Sequence, residues 1–242
     1  TDDLGNTTFN YAARSGNVTL LKNLLKKDIP YDGRALVIAA QGSRSSAVNL
    51  AAYKYLVEDL KIDPNSTGDE GENVLHHLVR KANQDENIAY FLAKGVDVNR
   101  QDKSGTTPLM NATRSSVALM ETFFDKIKDV NGTNLKGQSA LTFAVENGTP
   151  EMVAFLIGKG AKTSVTDTKG NNLAYYLIQS AKKDGKDGFE AKLNLLTQAG
   201  FDVTAIQKDG NTLYHLAVAK NDLKLFQRLE GLTIAIDHKN AE

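Results

Sequence analysis

Asp102-Lys103-Ser104-Gly105-Thr106-Thr107-Pro108-Leu109-Met110-Asn111-Ala112 decides how the rest of the chain is read. Asp-Lys-Ser-Gly is a tight-turn signal, with a glycine free to take a positive φ. Thr107 then offers a hydroxyl as N-cap, and Pro108 brings the fixed φ of a first helical position. A second apolar-periodic stretch, Val117 to Ile127, follows a break at Arg114-Ser115-Ser116. The stretch therefore predicts a turn, a short helix, a second turn and a second helix.

The phrase recurs along the chain. It opens as Gly5-Asn6-Thr7-Thr8-Phe9 and closes as Gly210-Asn211-Thr212-Leu213-Tyr214-His215. Its glycines are Gly5, Gly33, Gly71, Gly105, Gly137, Gly170 and Gly210, at intervals from 28 to 40 residues. The two longest intervals hold polar insertions, Gly42 to Ser46 and Lys182 to Gly188, each between two helical patterns where a loop tolerates extra residues. A fixed period of this length implies stacked units that bury their apolar faces only against their neighbours. One elongated domain of about seven units is expected: 2–31, 32–65, 66–99, 100–131, 132–164, 165–204 and 205–236.

The fifth unit repeats the plan, with Ala140 to Glu146, a break at Asn147-Gly148, and Pro150 to Ile157. Met152, Val153, Leu156 and Ile157 make one apolar stripe on that second helix. These units resemble the ankyrin repeat, with its turn aspartate and glycine, its Thr-Pro-Leu-His-x-Ala helix start and its paired leucines. Thr107-Pro108-Leu109 keeps the core of the motif; Asn73-Val74-Leu75-His76, Ser139-Ala140-Leu141 and Asn172-Leu173-Ala174 vary it. The loop ending is also present, as Gly95-Val96-Asp97-Val98-Asn99 and Gly200-Phe201-Asp202-Val203-Thr204. The second and sixth copies depart furthest from the pattern. The resemblance implies an all-α solenoid of helix-turn-helix repeats joined by β-turn or hairpin loops, and a protein-binding role.

Composition narrows the chemistry. The formal net charge is zero, which gives no general drive toward nucleic acid or an anionic membrane. No apolar run approaches the roughly 18 residues of a membrane helix. Cysteine is absent, so disulfides, thiol chemistry and thiolate metal sites are excluded. Sequons at Asn6, Asn17, Asn65, Asn111, Asn131 and Asn147 are read as turn and cap residues rather than glycan acceptors. The chain starts at Thr1, and the period would put the next turn glycine at about position 243, beyond Glu242. Residues 237–242 then read as the start of a truncated eighth repeat, and the chain as a piece or processed form of a longer protein. Likeness to small bacterial ankyrin proteins leaves bacterial cytoplasm and periplasm both open.

Catalytic signatures are missing: no nucleophile elbow, no phosphate loop, no zinc-protease helix. His76 and His215 hold the motif's histidine place, so each is expected to bond near its turn and tie units together. A metal on His76, His77 and Glu72 would need unusual geometry, because adjacent helical side chains diverge by about 100°. Asp184-Gly185-Lys186-Asp187-Gly188 lacks the acids of a calcium loop and reads as a flexible insertion. No cofactor or metal is expected.

What remains is a surface. Stacking lines up turn tips and first helices into a concave groove, the usual partner site of the resembled family. The first three tips carry Asp2, Asp3, Asp32, Asp69, Glu70 and Glu72 with Arg34; the last four carry Arg100, Lys103, Lys136, Lys169 and Lys208 against Asp102, Asp167 and Asp209. Tyr176 is the aromatic expected at the groove, and Phe91, Phe123, Phe124, Phe155 and Phe226 are expected in the core. Candidate contact residues are Arg100, Lys103, Ser104, Arg114, Lys136, Lys169, Tyr176, Lys208 and Asp209. The leading expectation is a monomeric, non-catalytic scaffold for a protein partner. The alternatives are an accessory or inhibitory protein dedicated to one enzyme or effector, and an enzyme whose catalytic part lies outside this chain.

Overall fold

A computed structural model of the chain describes residues 2, 5–42, 46–182, 187–205 and 207–230. Among the described residues, fourteen α-helices follow one another in seven pairs. They are α1 (Thr8–Ser15) with α2 (Val18–Leu25), α3 (Arg34–Gly42) with α4 (Ser46–Lys54), and α5 (Val74–Leu78) with α6 (Asp85–Ala93). Then come α7 (Pro108–Ala112) with α8 (Val117–Phe124) and α9 (Ala140–Asn147) with α10 (Pro150–Gly158). The last pairs are α11 (Leu173–Ser180) with α12 (Phe189–Gln198) and α13 (Leu213–Ala219) with α14 (Leu223–Leu229). The all-α repeat fold is as the pattern predicts. Extended structure is confined, among the described residues, to an isolated antiparallel bridge between Thr133 and Ser139.

The chain divides into two compact units, one ending at Ile127 and the other starting at Lys128. In the first, α1, α3, α5 and α7 pack side by side in chain order, with α4, α6 and α8 behind them; in the second, α9, α11 and α13 do the same, with α10 packed on α12. Among the described residues no α-helix exceeds 10 residues, short of the roughly 12–15 that an isolated helix needs, so stacking stabilises each one. Leu36, Leu56, Leu75 and Leu78 are fully buried in the first unit; Leu141, Leu156, Leu177 and Leu196 are in the second. Each such leucine contributes roughly 1.5–3 kcal/mol relative to exposure.

Caps set the boundaries. The Thr107 and Ser139 side chains accept from the Met110 and Thr142 amides, and Pro108 and Pro150 occupy first-turn positions. The helix expected to run to Ile127 stops at Phe124, where Lys126 and Ile127 amides bond the Phe123 and Phe124 carbonyls in tighter turns. α4 continues into a π-helical turn, Tyr55–Asp59, that buries Tyr55, Leu56 and Val57.

One glycine does not have the role its spacing suggested. Gly5, Gly71, Gly105, Gly137, Gly170 and Gly210 have positive φ and lie three residues before a helix; Gly33 has no positive φ and directly precedes Arg34. In that copy Asp32 closes the turn instead, its Oδ1 accepting the Arg34 amide at 3.0 Å. At Gly137 the next turn also packs closely: a Cβ there would lie 2.9 Å from Asp167 Cα and Thr168 N.

Polar side chains stitch neighbouring repeats together. Asn65 Nδ2 donates to the Gly95 carbonyl at 3.3 Å while its Oδ1 accepts the Asp97 amide at 2.9 Å. Asn131 does the same to Gly160 and Lys162, at 3.1 and 2.8 Å. These two sequon asparagines are therefore structural clamps. Exposed C-terminal carbonyls of first helices are capped from the next repeat, where cations suit the helix dipole. Lys220 Nζ reaches the Ile178 and Ala181 carbonyls at 2.7 Å each, Lys81 Nζ reaches Gln41 O at 2.8 Å, and Ser115 Oγ donates to Val79 O. Lys192, 2% exposed, gives Nζ to Val145 O at 2.9 Å. The eighth-repeat tail at 237–242, with His238, and residues 43–45 and 183–186 of the two insertions lie outside the described residues.

Candidate binding face

Three of the turn tips, headed by Asp102, Asn134 and Asp167, are built by one device. A residue at the head of the turn accepts two backbone amides with its side chain, while the turn glycine reverses the chain. Asp102 Oδ1 takes the Ser104 and Thr106 amides at 2.8 and 2.9 Å; Asp167 Oδ1 takes those of Lys169 and Asn171, both at 2.9 Å. Asn134 does so for Lys136 and Gln138, at 3.0 Å each. Successive tips then join by backbone, Lys103 N to Glu70 O at 2.7 Å and Thr168 N to Lys136 O at 2.9 Å. Side chains flanking these residues are held outward on a rigid backbone.

In the first unit this brings Arg100, Lys103 and Ser104 to one tip, all exposed. Each has internal work. Arg100 Nε donates to the Gly71 carbonyl at 3.2 Å, Lys103 lies 3.9 Å from Glu70, and Ser104 Oγ donates to Asp102 at 2.7 Å. Arg34 is committed likewise, to Asp32, Asp69 and the Gly5 carbonyl. Arg114 is not at a tip. It lines a cleft of about 480 Å³ beside the α7–α8 turn, with Arg80, Lys81 and Asp85.

In the second unit Lys136, Lys169 and Lys208 stand exposed on three consecutive tips, with Asp209 beside Lys208. Among the described residues none of these three lysines forms an ion pair, whereas Asp209 is bonded by its own turn's Asn211. Lys208 packs its stem across Gly170, where a Cβ would sit 2.4 Å from Lys208 Cβ.

Tyr176 is a correction. Its ring is only 4% exposed, and its hydroxyl donates to Asp167 Oδ2 at 2.6 Å while accepting from Gln138 Nε2 at 3.2 Å. Burial and then the Asp167 carboxylate push the phenol up, and despite burial the Tyr176 and Asn171 bonds hold the Asp167 carboxyl below its usual range. Tyr176 braces the tip from beneath and offers a partner no surface. Tyr11 makes the matching bond to Asp2 at 2.5 Å but is 53% exposed. Of the second-helix aromatics, Phe91 and Phe123 are buried, but Phe124, Phe155 and Phe226 are only half-buried.

The histidines serve the turns. His76 Nδ1 accepts the Asn73 amide at 3.1 Å, and Nε2, at 3.0 Å, donates to the Thr106 carbonyl of the next repeat. His215 Nδ1 lies 2.9 Å from Thr212 Oγ1. Burial lowers the His76 pKa. Glu72, expected on a tip, is folded inward and 8% exposed, with its Oε1 3.5 Å from His77 Nε2. Among the described residues no three His, Asp or Glu side chains are grouped to hold a metal, and no helix is long and apolar enough to cross a membrane.

Comparison with known proteins agrees with this construction. The family pattern described as ankyrin repeats matches residues 45–132 and 75–169. A phosphocholine transferase of Legionella pneumophila is 24% identical over 82% of this chain and 20% of its own length. A putative ankyrin repeat protein of Acanthamoeba polyphaga mimivirus is 21% identical over 93% of this chain and 29% of its own. One from Rickettsia bellii is 30% identical over 46% of this chain and 59% of its own. The chain thus spans about a fifth of the first of these relatives. Matched over more than half its length and built from the same paired helices, the chain belongs to the ankyrin-repeat family.

Proposed function

We propose that this chain is a non-catalytic scaffold that holds a protein partner against its turn tips and first helices. Protein–protein interaction is the usual role of the family, and the tips supply the specific support. The Lys136 and Lys169 amides are held by Asn134 Oδ1 and Asp167 Oδ1, and among the described residues neither they nor Lys208 forms an ion pair, so their charge is available to a partner. Such a row favours an acidic surface, through faster encounter and correct orientation more than raw affinity.

Charge reversal tests this. A partner captured by the wild-type chain is titrated against the K136E/K169E double variant at low and high salt. Affinity is expected to fall tenfold or more at low salt and the difference to shrink as salt screens it. An unchanged affinity at low salt would remove the lysine row from the binding face.

A further inference from the structure

The turn before α5 departs from its neighbours and leaves a carboxylate unanswered. Asp102 and Asp167 head their turns, with amides that donate to the Thr106 and Asn171 carbonyls at 3.0 and 2.9 Å. The matching place before α5 is Gly68, whose amide donates to the Glu72 carbonyl at 2.8 Å. Gly68 has no side chain to fill the turn, and Glu72 fills it from the other side. A Cβ on Gly68 would lie 2.3 Å from Glu72 Oε1. His77 follows Gly68 by the same interval as Tyr176 follows Asp167, so His77 stands where Tyr176 braces the other turn.

The substitution changes the chemistry. Tyr176 gives Asp167 a hydroxyl proton at 2.6 Å, whereas Glu72 meets His77 at 3.5 Å and Gln41 Nε2 at 3.4 Å. Burial lowers the His77 pKa; Glu72 opposes that, and the charges of His76 and Lys81 add to it. At neutral pH the ring therefore brings Glu72 no positive charge. Lys81 is occupied by the Ala40 and Gln41 carbonyls. Glu72 Oε2 and His77 Nε2 are buried without a hydrogen-bond partner. Toward α1 lies Asn10, 1% exposed with both amide atoms unpartnered, in a cavity of about 30 Å³ lined also by Arg14, Ile38 and Gln41. Asp69 and Glu70 at the adjoining tip, with side chains 63% and 75% exposed, are answered by Arg34 and Lys103, which leaves Glu72 as the carboxylate without a cation. A buried carboxylate short of donors is unfavourable until a cation reaches it.

Resting on the reading of tips and first helices as the binding face, we propose that Glu72 is the floor of a subsite for a partner's arginine side chain, with Gln41 and His77 as its walls. A guanidinium presents several donors in one plane, which suits a carboxylate oxygen beside a neutral imidazole nitrogen. Lys136 and Lys169 address an acidic surface at the second unit, and Glu72 takes a basic residue at the first.

The probe is an acetylated, amidated Gly-Gly-Arg-Gly-Gly peptide, with citrulline replacing arginine as the neutral isostere. Both are titrated into the full chain while the amide resonances of Gln41, Glu72 and His77 are followed. Saturable shifts with the arginine peptide only are expected. Glu72→Gln should weaken binding tenfold or more, and Glu70→Gln less than twofold. Should Glu72→Gln fail to fold, His77→Arg supplies a guanidinium from within and is expected to abolish peptide binding. No saturable shift, equal response to citrulline, or equal losses from Glu70→Gln and Glu72→Gln would overturn the proposal. A chain that ignores the peptide yet still loses its partner on reversal of Lys136 and Lys169 would refute this subsite and leave the scaffold reading standing.

Discussion

Arg228→Met tests how much of the second unit's stability rests on one guanidinium. Arg228 grips Asp187 with both terminal nitrogens, at 3.0 and 2.7 Å, and Glu190 through Nε and Nη2, at 2.5 and 2.9 Å. Its carbon also lies 4.8 Å from the centre of the Phe189 ring. The partners are unequal: the Asp187 side chain is 1% exposed, that of Glu190 58%. The Glu190 contact is worth no more than about 1 kcal/mol, as exposed pairs are. Asp187 decides the outcome, because removing one partner of a buried pair costs about 3–5 kcal/mol. It keeps the Lys182 and Phe189 amides as donors, at 2.6 and 2.9 Å, which moves the expectation to the lower end. Methionine preserves the stem over Phe189, so the expected loss is about 3 kcal/mol at pH 7, read by urea unfolding.

Acid supplies the control. Arg228 holds the Asp187 carboxyl well below the usual carboxylate range. A depressed carboxylate contributes stability that is present above its unfolded pKa, about 3.9, and is lost as pH falls through the folded value. The gap between wild type and Arg228→Met should therefore be full at neutral pH and narrow below about pH 4. A loss under about 1 kcal/mol, or a gap unchanged in acid, would refute the account of a buried pair.

Two further outcomes follow from the architecture. Leu156, fully buried on α10, should cost roughly 2–5 kcal/mol as Leu156→Ala, with amide exchange rising most in the adjoining repeats; a uniform rise along the chain would contradict nearest-neighbour coupling. His76 and His77 both have pKa values lowered by burial, so the unfolded chain binds their protons first and the first unit should weaken as pH drops below about 6.5. Replacing both by glutamine should flatten that limb of the pH–stability curve, and an unaltered slope would remove them as its cause.

The sequence showed the repeat clearly because a stacked unit must solve the same local problem each time. Thr107 as N-cap, Pro108 at the first helical position, and α9 and α10 starting at Ala140 and Pro150 and ending one residue beyond Glu146 and Ile157 all follow from residues within one unit. So does the tie from His76 to its own turn. What stayed hidden acts between units. Arg228 has no partner within its own unit's pattern: Asp187, to which it binds, lies at the end of the insertion in the preceding unit. Lys81, Lys192 and Lys220 cap helices of neighbouring repeats, and nothing in their own units marks them for it. Periodicity says which residues are equivalent, but not which member of a column is long enough to reach across. Gly33 failed for the converse reason: the residue type matched the column, while the helix behind it begins two residues early relative to the turn.

Spent and unspent charge is what separates scaffold from site in such a fold. A repeat needs polar groups to fix its turns and close its helix ends, so most charged residues near the tips are already committed. Arg34, Arg100 and Lys103 belong to that class, each with a contact to a neighbouring turn. Among the described residues Lys136, Lys169 and Lys208 form no ion pair, and Glu72 Oε2 is buried without a hydrogen-bond partner. Equivalent positions thus divide by whether the fold itself completes their hydrogen bonds. Substitution of a committed residue should register first in stability, and substitution of an uncommitted one first in binding. That contrast can be read from Arg34 against Lys136, two tip cations exchanged for glutamine in the same chain. If both altered stability equally and neither altered partner affinity, tip charge would be a property of the fold alone.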